Sequence, residues 1–442
     1  GRTLLSARLF RALACVLGTV RPSIRSPGEA MPVRLSRFRR RLLLFLTVMG
    51  PGIITASVDQ DAGGITTYSV AGAQYGYSLL WSLPFIVLAL AVVQEMGTRM
   101  GVVTGRGLAD LIRERFGVRA TLLCMGILIL ANLANTASEF AGVAASLEIF
   151  GIHRHWSVPL TAVLVFGLVI QGTYRIVERV FLLASALYAV YFVSALLAQP
   201  PWGAILRQTI RPTFSLDSGY LTTLITIVGT TIAPWMQFYL QSSIVDKGVR
   251  LRDLRWARLD AYAGSLVAGA IAFFIIVACG ATLFPNGVRV ETAKDAALAL
   301  EPFAGQYATV LFAFGLLNAS VFSAAILPLS TAYAVCEALG WETGVDRRPR
   351  EAPGFFAIYT LMILLGAAPI LLPQAPLVAI MFWSQTLNGL LLPFVLLVMI
   401  KLINDPEIMG RHVNSVSFNL VAWGAAAVMI ALSLVLLITS FI

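Results

Sequence analysis

The chain has 442 residues, of which 58% are hydrophobic and only 12% are charged, and its formal net charge is +10. A mean hydropathy of +0.83 lies far outside the range of a soluble enzyme, so the composition indicates an integral membrane protein. Because the basic residues are spread over the ends of apolar segments, the positive charge does not indicate a nucleic-acid-binding protein.

Residues 1–41 are predicted to be a basic cytoplasmic segment. Its first 30 residues begin with Gly1, and their short apolar run is interrupted by Arg8 and Arg11. We interpret residues 1–30 as a leftover or wrongly assigned start upstream of Met31; a surface amphipathic helix is the alternative.

Eleven apolar segments follow, each close to the roughly 20 residues that a helix needs to cross the hydrocarbon core. We number them spans 1 to 11: 43–76, 79–103, 119–146, 156–173, 178–198, 219–246, 257–284, 306–338, 353–373, 375–403 and 415–442. They lack the period-two alternation of a transmembrane β-barrel. The predicted class is an all-α integral membrane protein with a single transmembrane domain over 42–442.

The charges predict the orientation of these spans. Basic residues crowd the N-terminal flank and the links between spans 2 and 3, 6 and 7, and 8 and 9. Counting from a cytoplasmic N-terminus puts all of these on the cytoplasmic side and the C-terminus outside. We expect a monomer in the bacterial inner membrane; the four cysteines indicate neither a disulfide framework nor a thiolate metal cluster.

Spans 1 and 6 are the two that do not resemble simple membrane helices. Span 1 is interrupted by the sequence DQDAGG at 59–64, and span 6 contains Gly229 and Pro234, which predict a break near 230–236. The two spans are five apart, so they correspond if residues 42–198 and 219–403 form a 5+5 inverted repeat with 415–442 as an extra helix. Broken helices in matching positions indicate a substrate site near the membrane midplane.

Polar residues in spans 3 and 10 are candidates to complete this site. Asn132, Asn135 and Thr136 share a face of span 3 with Glu139, and Gln385 and Asn388 share a face of span 10. The amides alone favour a polar seam between helices, but a carboxylate within a membrane indicates function. Oxygen ligands of this kind suit Mg²⁺, Ca²⁺ and Mn²⁺, and with all three histidines in links a tight zinc or copper site is not expected.

The sequence resembles the Nramp family of divalent-metal transporters over essentially everything after Met31. Four stretches carry the resemblance: GPGIITASVDQDAGGITTYSVAGAQYGYSLLW at 50–81, GVVTGRGLADLIRERF at 101–116, LQSSIV at 240–245, and Ser384–Gln385 with LPF at 392–394. The resemblance implies a LeuT-like fold of about 11 transmembrane helices, with broken helices in spans 1 and 6.

The sequence departs from the family pattern at residues that bind the metal in that family. The Asp-Pro-Gly-Asn motif of the first helix is replaced by Asp61-Ala62-Gly63-Gly64, and the Met-Pro-His motif of the sixth by Ala233-Pro234-Trp235. The amide and the proton-handling histidine are therefore missing. The thioether is missing as well, unless a shifted register of the alignment brings Met236 into the site. Thr136 stands in place of the first acid of span 3, and span 9 contains no basic residue.

These departures resemble the Nramp-related magnesium transporter branch. The resemblance implies that the substrate is Mg²⁺, and also Mn²⁺, carried largely hydrated by alternating access without protons and without a cofactor. The expected metal contacts are Asp61, Glu139, Thr230, Ala233, Gln237 and Gln385. Gly63, Gly64 and Pro234 are expected to shape the site, with Gly64 leaving room for water, and secondary contacts are expected from Asp59, Gln60, Met236 and Asn135. Asp59 is expected to face the aqueous cavity.

Four other functions remain as alternatives. A proton-coupled Mn²⁺ or Fe²⁺ transporter would retain Met236 as a ligand, and a sodium-coupled solute symporter would share the fold. A membrane-embedded metal-dependent enzyme or a metal receptor belongs to another class. The sequence contains no HExxH zinc motif and no histidine within a span, so an enzyme is not predicted.

Overall fold

The computed structural model describes residues 58–170, 188–345 and 347–440. Within these ranges all regular structure is helical and no strand is present. The predicted basic segment 1–41, the first part of span 1 and the junction of spans 4 and 5 lie outside the described residues. The predicted all-α class is confirmed for the part of the chain that the structure covers.

Every predicted span contains a helix in its described part. In order of spans 1 to 11, with span 6 in two pieces, the helices are Ala62–Tyr75, Ser82–Thr104, Leu108–Glu148, Arg154–Ile170, Ala189–Leu197, Ser218–Thr231 and Pro234–Asp246, Leu254–Thr282, Ala308–Leu339, Pro353–Ala367, Leu377–Ile403, and Val416–Ser440. Among the described residues, eight stretches are long and apolar enough to cross a membrane; helices of spans 1, 4 and 5 are shorter.

Short helices also occur outside the helices of the eleven spans. The α-helical ones are Trp202–Ile210, Ala293–Ala297, Glu301–Ala304 and Pro406–Met409, and the 3₁₀ turns are Leu251–Asp253, Phe284–Asn286, Leu298–Leu300, Gly305–Tyr307, Ala368–Leu371 and Gly410–His412. The helix of span 3 begins eleven residues before its predicted start, with a kink at Gly117, whose φ of +74° is in the left-handed region. The kink separates its charged first part from the apolar part.

Both predicted helix breaks are present. In span 6, helix 6a (Ser218–Thr231) ends two residues before helix 6b (Pro234–Asp246), which begins on its proline. Proline suits the first position of a helix because no N–H is needed there, and it cannot continue the preceding helix. In span 1, helix 1b (Ala62–Tyr75) begins directly after a turn at Asp59 and Gln60.

Helix 1b lies in the interior of the molecule. It packs against spans 3, 7 and 10 and against helix 6a, and its residues from Ala62 to Ala73 are all buried. Small residues permit this close packing: a Cβ added at Gly72 would lie 2.6 Å from the carbonyl oxygen of Ile276 in span 7. The first turn of helix 1b, which carries the DAGG sequence, is thereby held away from lipid.

A charged network joins span 2 to its neighbours. The predicted pair of Glu95 and Arg99 forms, with 2.9 Å between Oε2 and Nη2, and Arg258 approaches the other oxygen of Glu95 at 2.7 Å. Arg99 also donates to the backbone oxygens of His412 and Val413, both at 2.9 Å. Asp260 in span 7 is only 2% exposed.

We expect Arg99→Met to lower the thermal unfolding midpoint of the detergent-solubilised protein by about 5 °C or more. The substitution leaves the buried Glu95 with one cation and releases the link before span 11, and breaking a buried ion pair costs about 3 kcal/mol. Arg252→Met is the matched control, because Arg252 is 74% exposed and pairs with Asp253 at 3.5 Å. Equal midpoints for the two variants would contradict the expectation.

Candidate metal site at the two helix breaks

Asp61 caps the N-terminus of helix 1b. It has an extended backbone, and its Oδ1 accepts a hydrogen bond from the N–H of Gly64 at 2.6 Å. Aspartate is a favoured N-cap because its oxygen satisfies a helix N–H that would otherwise have no partner. One carboxylate oxygen of the predicted main ligand is therefore used by its own helix.

Glu139 reaches the same helix end from span 3. Its Oε2 accepts from the N–H of Ala62 at 3.2 Å, and its carboxyl group lies within hydrogen-bonding distance of that of Asp61. Both side chains are almost completely buried, at 3% and 0% exposure. The helix N-terminus carries only about half a positive charge, so two carboxylates here favour the addition of a cation.

Asp59 and Gln60 form the turn before helix 1b. The Asp59 side chain is 2% exposed and accepts from Gln60 Nε2 at 3.3 Å, while the Gln60 carbonyl accepts from the Tyr188 hydroxyl at 2.8 Å. Asp59 therefore does not face open water in this structure, contrary to expectation. The reason is that spans 5 and 8 cover the turn, the latter through Ser323, which donates to the Val58 carbonyl at 3.4 Å.

The space beside Gly64 is narrower than expected. A Cβ added there would lie 2.6 Å from the carbonyl oxygen of Asp59, 3.3 Å from Thr230 Oγ1 and 3.4 Å from Asp61 Oδ1. Gly64 does not leave open room for water in this structure, because the turn at 59–60 folds back over it. The same geometry brings Thr230, at the end of helix 6a, next to the predicted site.

Gln385 lies directly against the first turn of helix 1b. A Cβ on Gly63 would overlap the amide nitrogen of Gln385, so the glycine makes this approach possible. The oxygen of the Gln385 amide accepts from Asn388 at 2.8 Å, and Asn388 in turn pairs with Asn135. Asn135 is thus in contact with the site through two other amides and not directly.

Helix 6b provides the remaining predicted residues. Ala233 is its N-cap and Pro234 its first residue, while Met236 lies within its first turn and is fully buried. Gln237 is also fully buried, and neither its oxygen nor its nitrogen has a hydrogen-bond partner among the described residues. No hydrogen bond in the described part of the chain joins these four side chains to Asp61.

Several buried oxygens at and around the two breaks have no donor among the described residues. The acceptors that receive no hydrogen bond from a described residue include Asp59 Oδ1, Gln60 Oε1, Glu139 Oε1, Thr230 Oγ1 and Gln237 Oε1. Buried acceptors normally have donors, so a set of this kind fits a cation. No group of three or more His, Cys, Asp or Glu side chains in the described ranges could hold a metal alone. The set combines two carboxylates with neutral oxygens, which suits a hard cation.

Several contacts around this site were not predicted from the sequence. The hydroxyl of Tyr68 bonds Thr231 at 2.8 Å and joins helix 1b to helix 6a, and Tyr188 holds the turn at Gln60. Thr66 donates to the sulfur of Met381 at 3.5 Å. The signal that could have identified the tyrosines is that a buried tyrosine hydroxyl needs a partner, but the sequence does not specify which one.

A cavity of about 570 Å³ opens beyond the far end of helix 1b. Its lining includes Val70 and Gln74 of helix 1b, Thr222 of helix 6a, Glu291 and Phe382. Thr66, one turn closer to Asp61 than Val70, contacts Met381 between the cavity and the helix break. Asp61 is thereby closed off from the cavity in this structure.

Comparison with known proteins gives consistent results. A family model described as Nramp, natural resistance-associated macrophage protein-like, matches residues 52–439. The "Divalent metal cation transporter MntH" of Deinococcus radiodurans is 28% identical over 418 residues, which are 89% of this chain and 89% of that protein.

Two groups of solved structures are similar in fold. The crystal structure of a manganese transporter from Eremococcus coleocola matches with a TM-score of 0.76 at 20% identity, covering 95% of this chain and 90% of that one. Mhp1, a nucleobase-cation-symport-1 family transporter in a closed conformation, matches with a TM-score of 0.55 at 16% identity, covering 88% and 89%. These matches confirm the predicted LeuT-like fold with broken helices in spans 1 and 6.

The family model covers most of the chain, including both helix breaks. Members of this family are multi-pass membrane transporters, so the prediction that the protein is not an enzyme is also confirmed. The chain belongs to the Nramp family.

Proposed function

We propose that the protein carries Mg²⁺, and also Mn²⁺, into the bacterial cell by alternating access across the inner membrane, as a monomer with its N-terminus in the cytoplasm. The observation that carries the proposal is the group of buried, donor-free oxygens around Asp61 and Glu139 at the helix breaks. The names of the relatives, a divalent metal cation transporter and a manganese transporter, support the same substrate class.

The preference for Mg²⁺ is supported by the loss of the family's methionine at the N-cap of helix 6b. Ala233 is the N-cap of helix 6b, where the family motif has methionine. A thioether is a soft ligand that favours transition metals, whereas Mg²⁺ prefers one or two carboxylates and several retained waters. Asp61 and Glu139 would supply the carboxylates, and Thr230 and Gln237 lie among the neutral oxygens.

Transport without protons is supported by three positions. Trp235 stands where the family has histidine, and the hydroxyl of Thr136 is bonded to the backbone of Asn132 at 2.7 Å. The helix of span 9, Pro353–Ala367, contains no basic residue. A membrane potential of 100 mV, negative inside, favours entry of a divalent cation by about 4.6 kcal/mol, so no second driving ion is required.

The experiment is uptake into liposomes that contain a Mg²⁺ indicator and a pH dye. We expect potential-driven Mg²⁺ uptake without acidification of the lumen. Acidification during Mn²⁺ uptake, together with no Mg²⁺ uptake, would instead support a proton-coupled Mn²⁺ or Fe²⁺ transporter. The names of the relatives and the buried position of Met236 favour that second candidate over the others.

We expect Gly64→Asn, which restores the family residue, to reduce Mg²⁺ uptake about tenfold or more. The new Cβ would lie 2.6 Å from the backbone oxygen of Asp59, so the turn beside Asp61 must shift. Overpacking of this kind costs about 1–3 kcal/mol. Gly126→Asn is the control, because an added Cβ meets nothing within 4 Å there. Unchanged Mg²⁺ uptake by the Gly64 variant would show that the turn adapts freely.

A further inference from the structure

We propose that Asn388 and Asn135 are positioning residues that set which end of the Gln385 side-chain amide faces the cation, and that the three amides reverse together when a cation binds. The inference rests on the proposed cation transport. It goes beyond it by assigning a function to two residues that do not themselves contact the first turn of helix 1b.

The three side chains form a continuous chain of hydrogen bonds between spans 3 and 10. Asn388 Nδ2 donates to Gln385 Oε1 at 2.8 Å and to Asn135 Oδ1 at 2.9 Å. Asn135 Nδ2 donates back to Asn388 Oδ1 at 3.1 Å. Both hydrogens on the Asn388 nitrogen are therefore used, and the pair with Asn135 is reciprocal.

Because the three amides are buried, the direction in which they donate hydrogen bonds decides which of their atoms has no partner. Asn135 and Asn388 are 0% exposed and Gln385 is 1% exposed, so each amide depends on its neighbours for hydrogen bonds. One atom of the chain has no partner among the described residues, namely Gln385 Nε2, and this atom lies against Gly63 in the first turn of helix 1b. A polar seam that served only to join two helices would not leave its unpaired atom at the candidate site.

The direction in this structure is the wrong one for a cation. An amide binds a metal ion through its oxygen, and the N–H₂ end is only a donor. With Asn388 donating to Gln385 Oε1, the nitrogen of Gln385 is the end that faces helix 1b. Gln385 can offer its oxygen to a cation only after its amide turns by half a revolution.

The hydrogen bonds make that turn all or none. If Gln385 turned alone, its nitrogen would face the Asn388 nitrogen, and two donors would meet. If only Gln385 and Asn388 turned, the Asn388 nitrogen would face the Asn135 nitrogen, and the Asn388 oxygen would face the Asn135 oxygen. If all three turned, every bond would re-form at the same place with donor and acceptor exchanged. The chain therefore has two consistent directions, and a cation that binds the Gln385 oxygen selects one of them.

The test replaces Asn388 with a residue that can only accept. In Asn388→Asp the carboxylate requires the Gln385 nitrogen as donor and turns the Gln385 oxygen towards helix 1b. Asn132→Asp is the matched control, because it adds the same charge at another buried asparagine of span 3, which bonds Thr331 and lies outside the chain of amides. Each is made in the full chain, alone and combined with Gln385→Ala, and equilibrium binding of Mn²⁺ and the transport kinetics are measured.

We expect Asn388→Asp to tighten Mn²⁺ binding and lower KM about tenfold, and also to lower the maximal rate, since a fixed oxygen slows release. Asn132→Asp should change binding less than about threefold. With Gln385→Ala present, the effect of Asn388→Asp should disappear. The proposal would be overturned if the two aspartate variants had equal effects, or if the effect of Asn388→Asp persisted without Gln385. Either result would indicate that the added negative charge attracts the cation directly.

A second measurement needs no substitution in the chain of amides. Infrared difference spectra, recorded on adding Mg²⁺ to protein labelled with ¹³C at asparagine side chains, should contain a label-shifted carbonyl band, because the asparagines exchange donors for acceptors. Gln385→Ala should remove this band. Its absence from the wild-type protein while Mg²⁺ binds would overturn the proposal.

Cation binding by the Asp61→Asn variant distinguishes a failure of the proposed function from a failure of the role proposed for the asparagines. If wild-type protein binds no divalent cation, or if Asp61→Asn binds it as well as wild type does, the proposed function fails. If binding depends on Asp61 and the asparagine results are negative, only the positioning role of Asn388 and Asn135 fails.

Discussion

Asp61→Asn should reduce Mg²⁺ and Mn²⁺ uptake by about 100-fold or more while leaving the fold intact. Asparagine caps a helix about as well as aspartate, so it can still accept from the N–H of Gly64, and only the charge is lost. A full charge about 4 Å from a divalent cation contributes several kcal/mol at the effective dielectric constant of a protein. Initial rates of uptake into liposomes, with the melting temperature as a check on folding, measure the two effects separately.

A matched control lies at the N-cap of helix 6a, at the end away from the break of span 6. Asp217 caps helix 6a and accepts from the N–H of Tyr220 at 3.0 Å, but it is exposed. Asp217→Asn should therefore leave uptake unchanged, because it keeps the cap and removes a charge far from the helix break. An uptake rate for Asp61→Asn within twofold of wild type would exclude Asp61 as the main charge partner of the cation.

Glu139→Gln should raise KM for Mg²⁺ about tenfold with a smaller effect on the maximal rate. The glutamine oxygen can still accept from the N–H of Ala62, so the end of helix 1b stays capped, while the second negative charge beside Asp61 is removed. Uptake rates over a range of Mg²⁺ concentrations give both constants. Glu139→Ala should be worse than Glu139→Gln, since it also removes the cap.

Glu148 in the same span is the control for this second change. It pairs with Arg154, with 2.6 Å between Oε1 and Nε, at the far end of the helix. Glu148→Gln should leave KM unchanged. If Glu139→Gln also transports with the wild-type KM, Glu139 acts only as a cap for helix 1b and does not contribute to the site.

Much of the architecture follows from local sequence. Hydropathy identified the spans, because every helix in a bilayer must present about 20 apolar residues. The break of span 6 falls where it was predicted because Pro234 ends one helix and begins the next without reference to any neighbour. Asp61 and Glu139 were recognisable because a carboxylate is so unfavourable in a membrane interior that its presence alone indicates function.

The predicted conformation around Gly64 and the exposure of Asp59 did not match the structure. Both expectations were drawn from the residue type alone. A small residue was expected to leave open space, and a second carboxylate was expected to face water. Whether glycine leaves space depends on what lies opposite it, and here that is the carbonyl of Asp59 in the turn before helix 1b. Only the path of the folded turn determines this contact.

The sequence by itself determined that this is an all-helical membrane protein with breaks in spans 1 and 6 and two carboxylates in its interior. These features depend on hydropathy, on proline and glycine, and on charge, which act over a few residues of chain. Only the tertiary structure decided that Glu139 shares a helix end with Asp61, that Thr230 and Gln385 face the same turn, and that Asn135 acts through Asn388. Such contacts join distant parts of the chain, as in the pair of Asn135 and Asn388, which are 253 positions apart, and their geometry depends on which faces of the packed helices meet.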